Sequence, residues 1–256
     1  MAMLLKGKIA VVHGAGGAIG GAVARAFARE GATLFLGGRN LASVEAVAKD
    51  IVASGGDARA DAVDALDESQ VNQHAANVAG SAGRIDIVLN AMGFPVVQGV
   101  PLLDLQRDDF VAPIASWTMT QFLTARAAAR HMVARGSGVI LTLSASPARL
   151  AVALTGGFGV ACAAVEGLTR TLAAELSPRG VRVVCIRPHR IGDTLRHNAD
   201  FDMAPDAFRR LIEDMTLLKR LPTLDMVAST AVFLASDHAA AMSGTVANLS
   251  CGMSVD

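Results

Sequence analysis

Tyrosine is absent from this chain of 256 residues, and tryptophan occurs only once. Lysine is scarce as well, since its only positions are Lys6, Lys8, Lys49 and Lys219. Both side chains are common partners in enzymatic proton transfer. A tyrosine phenol is therefore excluded everywhere, and a lysine ammonium is excluded through most of the chain.

Charge is also sparse, because charged residues make up 18% of the chain and the formal net charge is zero. A chain without net positive charge is not expected to bind nucleic acid or an anionic membrane surface. Hydrophobic residues make up 52%. The chain can bury a large core, and we expect part of its surface to be buried in a homo-oligomer.

The three cysteines, Cys162, Cys185 and Cys251, are odd in number and far apart. They show neither metal-ligand spacing nor a disulfide framework, so we expect no metal site and a cytoplasmic location. The N-terminal segment has no charged region ahead of its apolar part and is a poor signal peptide. The longest uncharged run, residues 150–165, is shorter than the ~20 residues that span a bilayer.

Short β-branched runs alternate with longer Ala-rich helical patterns along the whole chain. The strand candidates are "KIAVVHG", "TLFLGG", "IDIVLNAMG", "GVILTLS", "VRVVCIRP" and a weaker "GTVANLS". Helices are predicted between them at residues 18–30, 40–54, 67–82, 110–135 and 155–176. This alternation predicts one α/β domain over residues 1–256, with a doubly wound parallel sheet and helices on both faces.

Residues 192–222 interrupt this alternation of strands and helices. They consist of a polar stretch followed by the amphipathic "PDAFRRLIEDMTLLKRL". In a doubly wound sheet an insertion after a late strand lies near the crevice that binds ligands. We expect this segment to form a lid, with an ordinary packing helix as the alternative.

The stretch "VVHGAGGAIGGAVARAFA" reads as a strand, a Gly-rich turn and the start of a helix. Glycines at such a turn let the backbone approach a pyrophosphate, and the helix N-terminus supplies N–H donors. The spacing of Gly14, Gly16, Gly17 and Gly20 departs from G-x-G-x-x-G because position 19 is Ile. Dinucleotide binding is the favoured interpretation, and a turn that merely packs is the alternative.

The end of the second strand, "FLGGRN", bears on the choice of dinucleotide. Sites that select NAD usually carry an acidic residue there, which accepts hydrogen bonds from the ribose. Gly37 and Gly38 stand in its place, and Arg39 follows with a guanidinium suited to a 2′-phosphate. NADP(H) is therefore favoured over NAD(H), unless Arg39 is simply a solvated turn residue.

Six stretches together resemble the short-chain dehydrogenase/reductase family over essentially the whole chain: "HGAGGAIG", "VDALDESQV", "IDIVLNAMG", "AAVEGLTRTLAAEL", "GVRVVCIRP" and "LDMVASTAVFLASDHAAAMSGTVANLSCG". The resemblance is to the shorter, single-domain branch. It implies a Rossmann sheet of about seven strands in a tetramer or dimer.

The resemblance also implies roles for single positions in cofactor binding. Gly14, Ile19 and Gly20 match the family's phosphate loop, and Asp64 matches the acid that meets adenine. Asn90 and Gly93 match the ends of the family's Asn-Asn-Ala-Gly motif. His13 stands where the family has Thr, and small changes of this kind weaken the cofactor interpretation without removing it.

The family's acid–base groups are a serine, a Tyr-x-x-x-Lys pair on one helix face and an asparagine. The stretch "AAVEGL" fixes the register, which places Phe158 at the tyrosine position and Cys162 at the lysine position. Ala145 falls at the serine position, between Ser144 and Ser146, either of which could face the pocket if the register slips. Trp117 falls at the asparagine position. We therefore expect no catalytic residue of the family's type.

His189 stands where the family has a glycine beside the nicotinamide. It is either a proton donor or bulk that narrows the nicotinamide site. Cys162 is expected to be a buried apolar side chain rather than a reactive thiol. The side chains at these positions would line a pocket for a small apolar ligand.

Three hypotheses follow. In the first, the protein binds NADP(H) but lacks acid–base catalysis, and acts in binding, sensing or scaffolding. In the second, it is an NADP(H)-dependent oxidoreductase for a substrate already activated toward hydride, such as a conjugated iminium or enone, because hydride transfer belongs to the cofactor. In the third, it has lost the nucleotide site and is purely structural.

Overall fold

The computed structural model describes residues 3–195 and 204–255. Seven strands form one parallel sheet in the order β3-β2-β1-β4-β5-β6-β7. The strands are β1 Ile9–His13, β2 Thr33–Gly38, β3 Asp57–Ala62, β4 Ile87–Asn90, β5 Gly138–Leu143, β6 Val181–Pro188 and β7 Val246–Leu249. This architecture confirms the predicted doubly wound α/β fold.

In the part of the chain that the structure describes, seven α-helices connect and cover the strands. They are α1 Ala18–Arg29, α2 Leu41–Ala53, α3 Glu68–Ala82, α4 Arg107–Arg135, α5 Phe158–Leu176, α6 Pro205–Met215 and α7 Leu224–Ala235. Helices α1, α2 and α7 pack their buried side chains on one face of the sheet. Helices α3, α4 and α5 cover the other. No helix among the described residues is both long and apolar enough to cross a bilayer.

Local signals explain where several helices begin. The Asn40 side chain accepts a hydrogen bond from Ser43 N at the start of α2, and the Asp67 carboxylate accepts from the first N–H groups of α3. Both residue types are favoured caps because they satisfy N–H groups that have no partner within the helix. These helix starts agree with the sequence pattern.

Strand β3 is the one described strand that the sequence pattern does not predict. Its sequence "DARADA" is polar, and none of its residues is fully buried. The strand lies at the edge of the sheet, where it pairs with β2 only. Packing against β2, rather than a hydrophobic pattern, determines its conformation. The predicted lid is described only in part, since residues 196–203 lie outside the described ranges.

Strand order reverses between β1 and β4, which are neighbours in the sheet. In an open α/β sheet, the crevice outside the carboxyl ends of the strands at such a point is where ligands bind. The ends of β1, β2, β4, β5 and β6 meet at this edge, and several of the predicted site residues directly follow them.

Candidate active site

A cleft of about 970 Å³ opens at the carboxyl ends of β1, β2 and β4. Its walls come from the turn after β1, the start of α2 and the segment after β4. They comprise Gly14, Gly16, Gly17, Gly38, Arg39, Asn40, Leu41, Ala42, Ser43, Val44, Ala91, Met92 and Gly93. Most residues predicted to hold the dinucleotide therefore meet at one cleft.

The glycines of the first turn are required by close backbone contacts. Gly14 has φ +77°, and a Cβ there would lie 2.8 Å from the backbone of Ala91. A Cβ at Gly20 would lie 2.2 Å from the Gly14 oxygen. Gly17 precedes helix α1 and provides no side-chain cap, and the first turn of the helix has no acidic residue. Its first N–H groups are thus left to an anion such as a pyrophosphate, which this cradle fits.

The remaining predicted cofactor residues lie around this cradle. Ile19 is half-buried and packs on the core beneath α1. Asp64 follows β3, outside the cleft walls, and its carboxylate accepts a hydrogen bond from Leu66 N. Arg39 is exposed at the mouth of the cleft, directly after β2. Its guanidinium can reach an anionic group on a bound nucleotide without losing an internal partner.

Asn90 is buried, and its hydrogen bonds hold the segment after β4 in place. Its Oδ1 accepts a hydrogen bond from Met92 N, and its Nδ2 donates to Thr124 Oγ1 on α4, each at 3.0 Å. Gln121 Nε2 donates to the Asn90 carbonyl oxygen at 3.2 Å. The side chain therefore holds Met92 and Gly93 at the wall of the cleft from below.

A second group of predicted residues forms one apolar cluster between α4, α5 and β5. Trp117 and Phe158 stack with ring centroids 5.3 Å apart and planes inclined by 26°. Cys162 lies one turn after Phe158 in this cluster and is fully buried, and Ala145 packs against it. The structure thus brings together four positions from three separate parts of the sequence.

The position of Phe158 depends on a close approach between α4 and α5. A Cβ at Gly157 would lie 2.1 Å from the Phe110 oxygen and 3.0 Å from the Pro113 side chain. Only glycine fits this contact, and it sets the start of α5 against α4. The phenyl ring of Phe158 is consequently placed beside the indole of Trp117.

The thiol of Cys162 is a neutral group. Burial raises its pKa to about 12, with further contributions from Cys185 and Glu166. A thiol with such a pKa is protonated at neutral pH and is a poor nucleophile. No cluster of three or more potential metal ligands occurs within residues 3–195 and 204–255.

The hydroxyls of Ser144 and Ser146 are both turned into the protein. Ser144 Oγ donates to Glu166 Oε1 at 3.0 Å, and Ser146 Oγ donates to the Pro188 carbonyl oxygen at 3.3 Å. Both residues are almost completely buried. Neither hydroxyl is thus directed toward a substrate at the Ala145 position.

Glu166 belongs to a buried ion pair that the sequence analysis missed. Arg187 Nη1 lies 3.3 Å from each carboxylate oxygen of Glu166, and both side chains are almost inaccessible to solvent. The pair joins α5 to the end of β6 beneath the apolar cluster. The only local signal is the second charged residue in the apolar strand "VRVVCIRP", which gives no indication of its partner.

His189 follows β6 at the edge of the site. Burial, helped by the neighbouring Arg190, lowers the pKa of its imidazole to about 4. The ring is therefore neutral at pH 7, and its Nε2 is buried without a hydrogen-bond partner among the described residues. A neutral imidazole of this kind is a weak source of protons near neutral pH.

Comparison with known proteins agrees with this geometry. The family model described as enoyl-(acyl carrier protein) reductase matches residues 14–254. D-threitol dehydrogenase of Mycolicibacterium smegmatis is 34% identical over 240 residues, which cover 94% of this chain and 90% of that protein. The chain belongs to the short-chain dehydrogenase/reductase family.

Solved structures of the short-chain dehydrogenase/reductase family show the same fold. A short-chain type dehydrogenase/reductase from Mycobacterium marinum superposes with a TM-score of 0.87 at 28% identity, covering 100% of this chain and 98% of that one. Gluconate 5-dehydrogenase from Burkholderia cenocepacia, in complex with NADP and tartrate, has a TM-score of 0.88 at 26% identity. Coverage there is 98% of this chain and 97% of that one.

These relatives correct the leading functional hypothesis. A purely binding, sensing or scaffolding role is wrong, because the relatives are named dehydrogenases and match nearly the whole chain. The physical reason is that the cofactor carries the redox chemistry. A change in the groups that transfer protons leaves the capacity for hydride transfer in place. The comparisons support the oxidoreductase alternative.

Proposed function

We propose that this protein is an NADP(H)-dependent oxidoreductase that reduces a substrate already activated toward hydride, such as a conjugated iminium or enone. The apolar cluster beside the dinucleotide cleft carries this proposal. Trp117, Ala145, Phe158 and Cys162 stand at the positions that the family resemblance assigns to asparagine, serine, tyrosine and lysine. None of them is an acid of useful strength at neutral pH.

The dinucleotide would be held by the residues of the cleft. The turn at Gly14, Gly16 and Gly17, together with the start of α1, would receive the pyrophosphate, and the segment ending at Gly93 would line the opposite wall. The bound cofactor supplies hydride. The chain's own residues bind the two reactants, orient them and exclude water from the apolar side of the site.

The described residues of the apolar cluster include no strong proton donor, and this determines the proposed substrate class. Reduction of an ordinary ketone places negative charge on oxygen, and general acid catalysis of such a step contributes ~10²–10⁴ in rate. An iminium already carries the compensating charge, and an enone spreads the new charge over a conjugated system. The rate of reduction of these acceptors is therefore lowered least when Phe158, Cys162 and His189 donate no proton.

We also propose that NADP(H) is preferred to NAD(H). Arg39 is exposed at the mouth of the cleft, and no carboxylate stands at Gly37 or Gly38 to repel a 2′-phosphate. The gluconate 5-dehydrogenase relative holds NADP in its crystal structure, which is consistent with this preference.

The proposal includes a homotetramer or homodimer. Exposed apolar side chains on α4 and α5, including Val111, Met119 and Val160, support burial against another copy. The three free cysteines support a cytoplasmic location. Residues 192–222 would act as the lid of the site. Light scattering that shows a monomer at micromolar concentration would contradict the assembly.

The direct test is NADPH oxidation with a panel of acceptors that share one ring size. Cyclohexenone and an N-methyl dihydroisoquinolinium salt represent the two activated classes, and cyclohexanone is the unactivated control. We expect turnover of at least one activated acceptor and no rate above background with cyclohexanone. Rapid turnover of cyclohexanone would contradict the proposal.

A further inference from the structure

Trp117 carries a polar group that the protein leaves unsatisfied. The side chain is 7% exposed, and its Nε1 is buried with no hydrogen-bond partner among the described residues. An indole nitrogen can only donate a hydrogen bond, and a buried donor without an acceptor costs about 1–3 kcal/mol. A bound molecule with an acceptor at this point would remove the cost.

Within residues 3–195 and 204–255, no acceptor lies within hydrogen-bond distance of the indole Nε1. Its ring packs among Ala145, Phe158, Ala161 and Cys162, which are apolar or hold a neutral thiol. In the part of this cluster that the structure describes, the indole N–H is consequently a strong donor without an internal partner.

We propose that Trp117 Nε1 donates a hydrogen bond to the carbonyl oxygen of the bound substrate, and so selects a conjugated carbonyl over a conjugated iminium. This inference rests on the proposed function and narrows it. An iminium nitrogen has no lone pair to accept the bond, whereas a carbonyl oxygen has two. Trp117 would then determine specificity as well as shape the pocket.

The step balances without a protein acid. Hydride from the reduced nicotinamide forms a C–H bond at the β-carbon, and the cofactor is oxidised as the substrate is reduced. The π electrons of the C=C bond move toward the carbonyl oxygen and give an enolate, whose charge the Trp117 N–H stabilises. Water then supplies the proton to the α-carbon, and the saturated carbonyl product is complete. The indole keeps its own proton throughout.

The composition of the chain makes the hydrogen bond directly observable. Trp117 is the only tryptophan, so the indole region of a heteronuclear NMR spectrum contains one N–H resonance. With NADP⁺ present, saturating cyclohexanone should move this resonance downfield. Methylenecyclohexane, in which CH₂ replaces the oxygen, should cause no comparable shift. Equal shifts with both compounds, or none with cyclohexanone up to its solubility limit, would overturn the inference.

The same feature allows a substitution that preserves the ring. Growth of a tryptophan auxotroph on β-(3-benzothienyl)alanine replaces N–H by sulfur at position 117 alone. Loss of one donor to a developing oxyanion lowers kcat by about 100-fold or more. We expect a loss of this order for cyclohexenone and little change for the N-methyl dihydroisoquinolinium salt. Trp117→Phe, which also lacks the donor, should show the same selectivity.

The matched control is Phe158→Leu, which disturbs the aromatic stack and leaves the indole N–H intact. It should slow both acceptors to a similar extent. If the sulfur analogue reduces cyclohexenone as fast as the wild type, the inference is wrong and the proposed function stands. If neither acceptor oxidises NADPH in the wild type, the proposed function fails, and the NMR titration still decides the role of Trp117.

Discussion

The indole of Trp117 and the phenyl ring of Phe158 stack at a centroid distance of 5.3 Å and an angle of 26° between their planes. One ring comes from the middle of α4 and the other from the first residue of α5. Stacked aromatic rings gain about 0.5–1.5 kcal/mol beyond their buried area. A change at either position therefore alters the shape of the pocket at the other.

This contact between the two rings determines which substitutions could introduce ketone reduction. Ala145→Ser, Phe158→Tyr and Cys162→Lys together provide the groups that the family resemblance assigns to these positions. Cys162 is fully buried in the same cluster as Trp117, so Trp117→Asn is needed to make room for the lysine. We expect measurable cyclohexanone reduction with NADPH in the fourfold variant.

Each single substitution should stay near background, because a phenol needs the nearby ammonium to become a useful acid and such groups act as a unit. NADPH oxidation followed by absorbance measures both cases. Ketone reduction that appears with Phe158→Tyr alone would show that another residue already supplies the positive charge.

Arg39→Ala should weaken NADPH binding by about 10- to 100-fold, which corresponds to the loss of a charge-assisted hydrogen bond. NADH lacks the 2′-phosphate, so its affinity should be unchanged. Titration calorimetry with each cofactor measures the difference. Arg170→Ala removes an exposed arginine from α5, away from the cleft walls, and serves as the matched control. A wild-type preference for NADH that persists in Arg39→Ala would refute the proposed cofactor choice.

Arg187→Met should destabilise the fold by about 3–5 kcal/mol, because it leaves the buried Glu166 carboxylate without the guanidinium that lies 3.3 Å away. Adding Glu166→Gln removes the buried charge, so the double variant should regain about half of the loss or more. Urea unfolding measures both free energies. Equal stability of the single and double variants would show that the loss of stability has a cause other than the broken ion pair.

The free energy of unfolding should fall as the solution is acidified below about pH 6.5. Burial, with a smaller contribution from His74, lowers the pKa of His13 to about 3 in the folded protein. The unfolded chain, with a pKa near ~6.5, binds the extra proton first. The contribution of His13 is therefore fully present above the unfolded pKa and declines toward the folded one, by up to about 1.4 kcal/mol per pH unit.

His13→Thr should reduce the steepness of this decline between about pH 4 and 6, where the linkage acts. Urea unfolding at several pH values measures the slope. His238→Gln, which removes a histidine from an exposed position, is the control. An identical slope in His13→Thr and the wild type would assign the acid sensitivity to other groups.

Local sequence patterns were sufficient for the parts of the fold that have local causes. The glycine turn at Gly14, the capping side chains Asn40 and Asp67, and the apolar central strands each follow from neighbouring residues. Strand β3 was not predictable in this way, because its polar sequence forms a strand only through pairing with β2. The doubly wound character of the sheet followed from the alternation of elements and the preference for right-handed crossovers.

The same distinction between local and long-range causes applies to the candidate site. The meeting of the dinucleotide residues at one edge was expected, because parallel strands end together there. The inward hydroxyls of Ser144 and Ser146 and the Glu166–Arg187 pair were not, since they depend on contacts between elements distant in the chain. The unsatisfied Trp117 Nε1 likewise has no sequence signal, because it is a property of the packed cluster.

The most direct test of this account is the rate of NADPH oxidation by the wild-type protein with cyclohexenone, compared with cyclohexanone at the same concentration. The account predicts turnover of the conjugated carbonyl at rates typical of enzymes, ~1–10³ per second, and no rate above background with the saturated ketone. A protein that binds NADPH and turns over neither cyclohexenone nor any other conjugated acceptor, or one that reduces both ketones equally well, would contradict it.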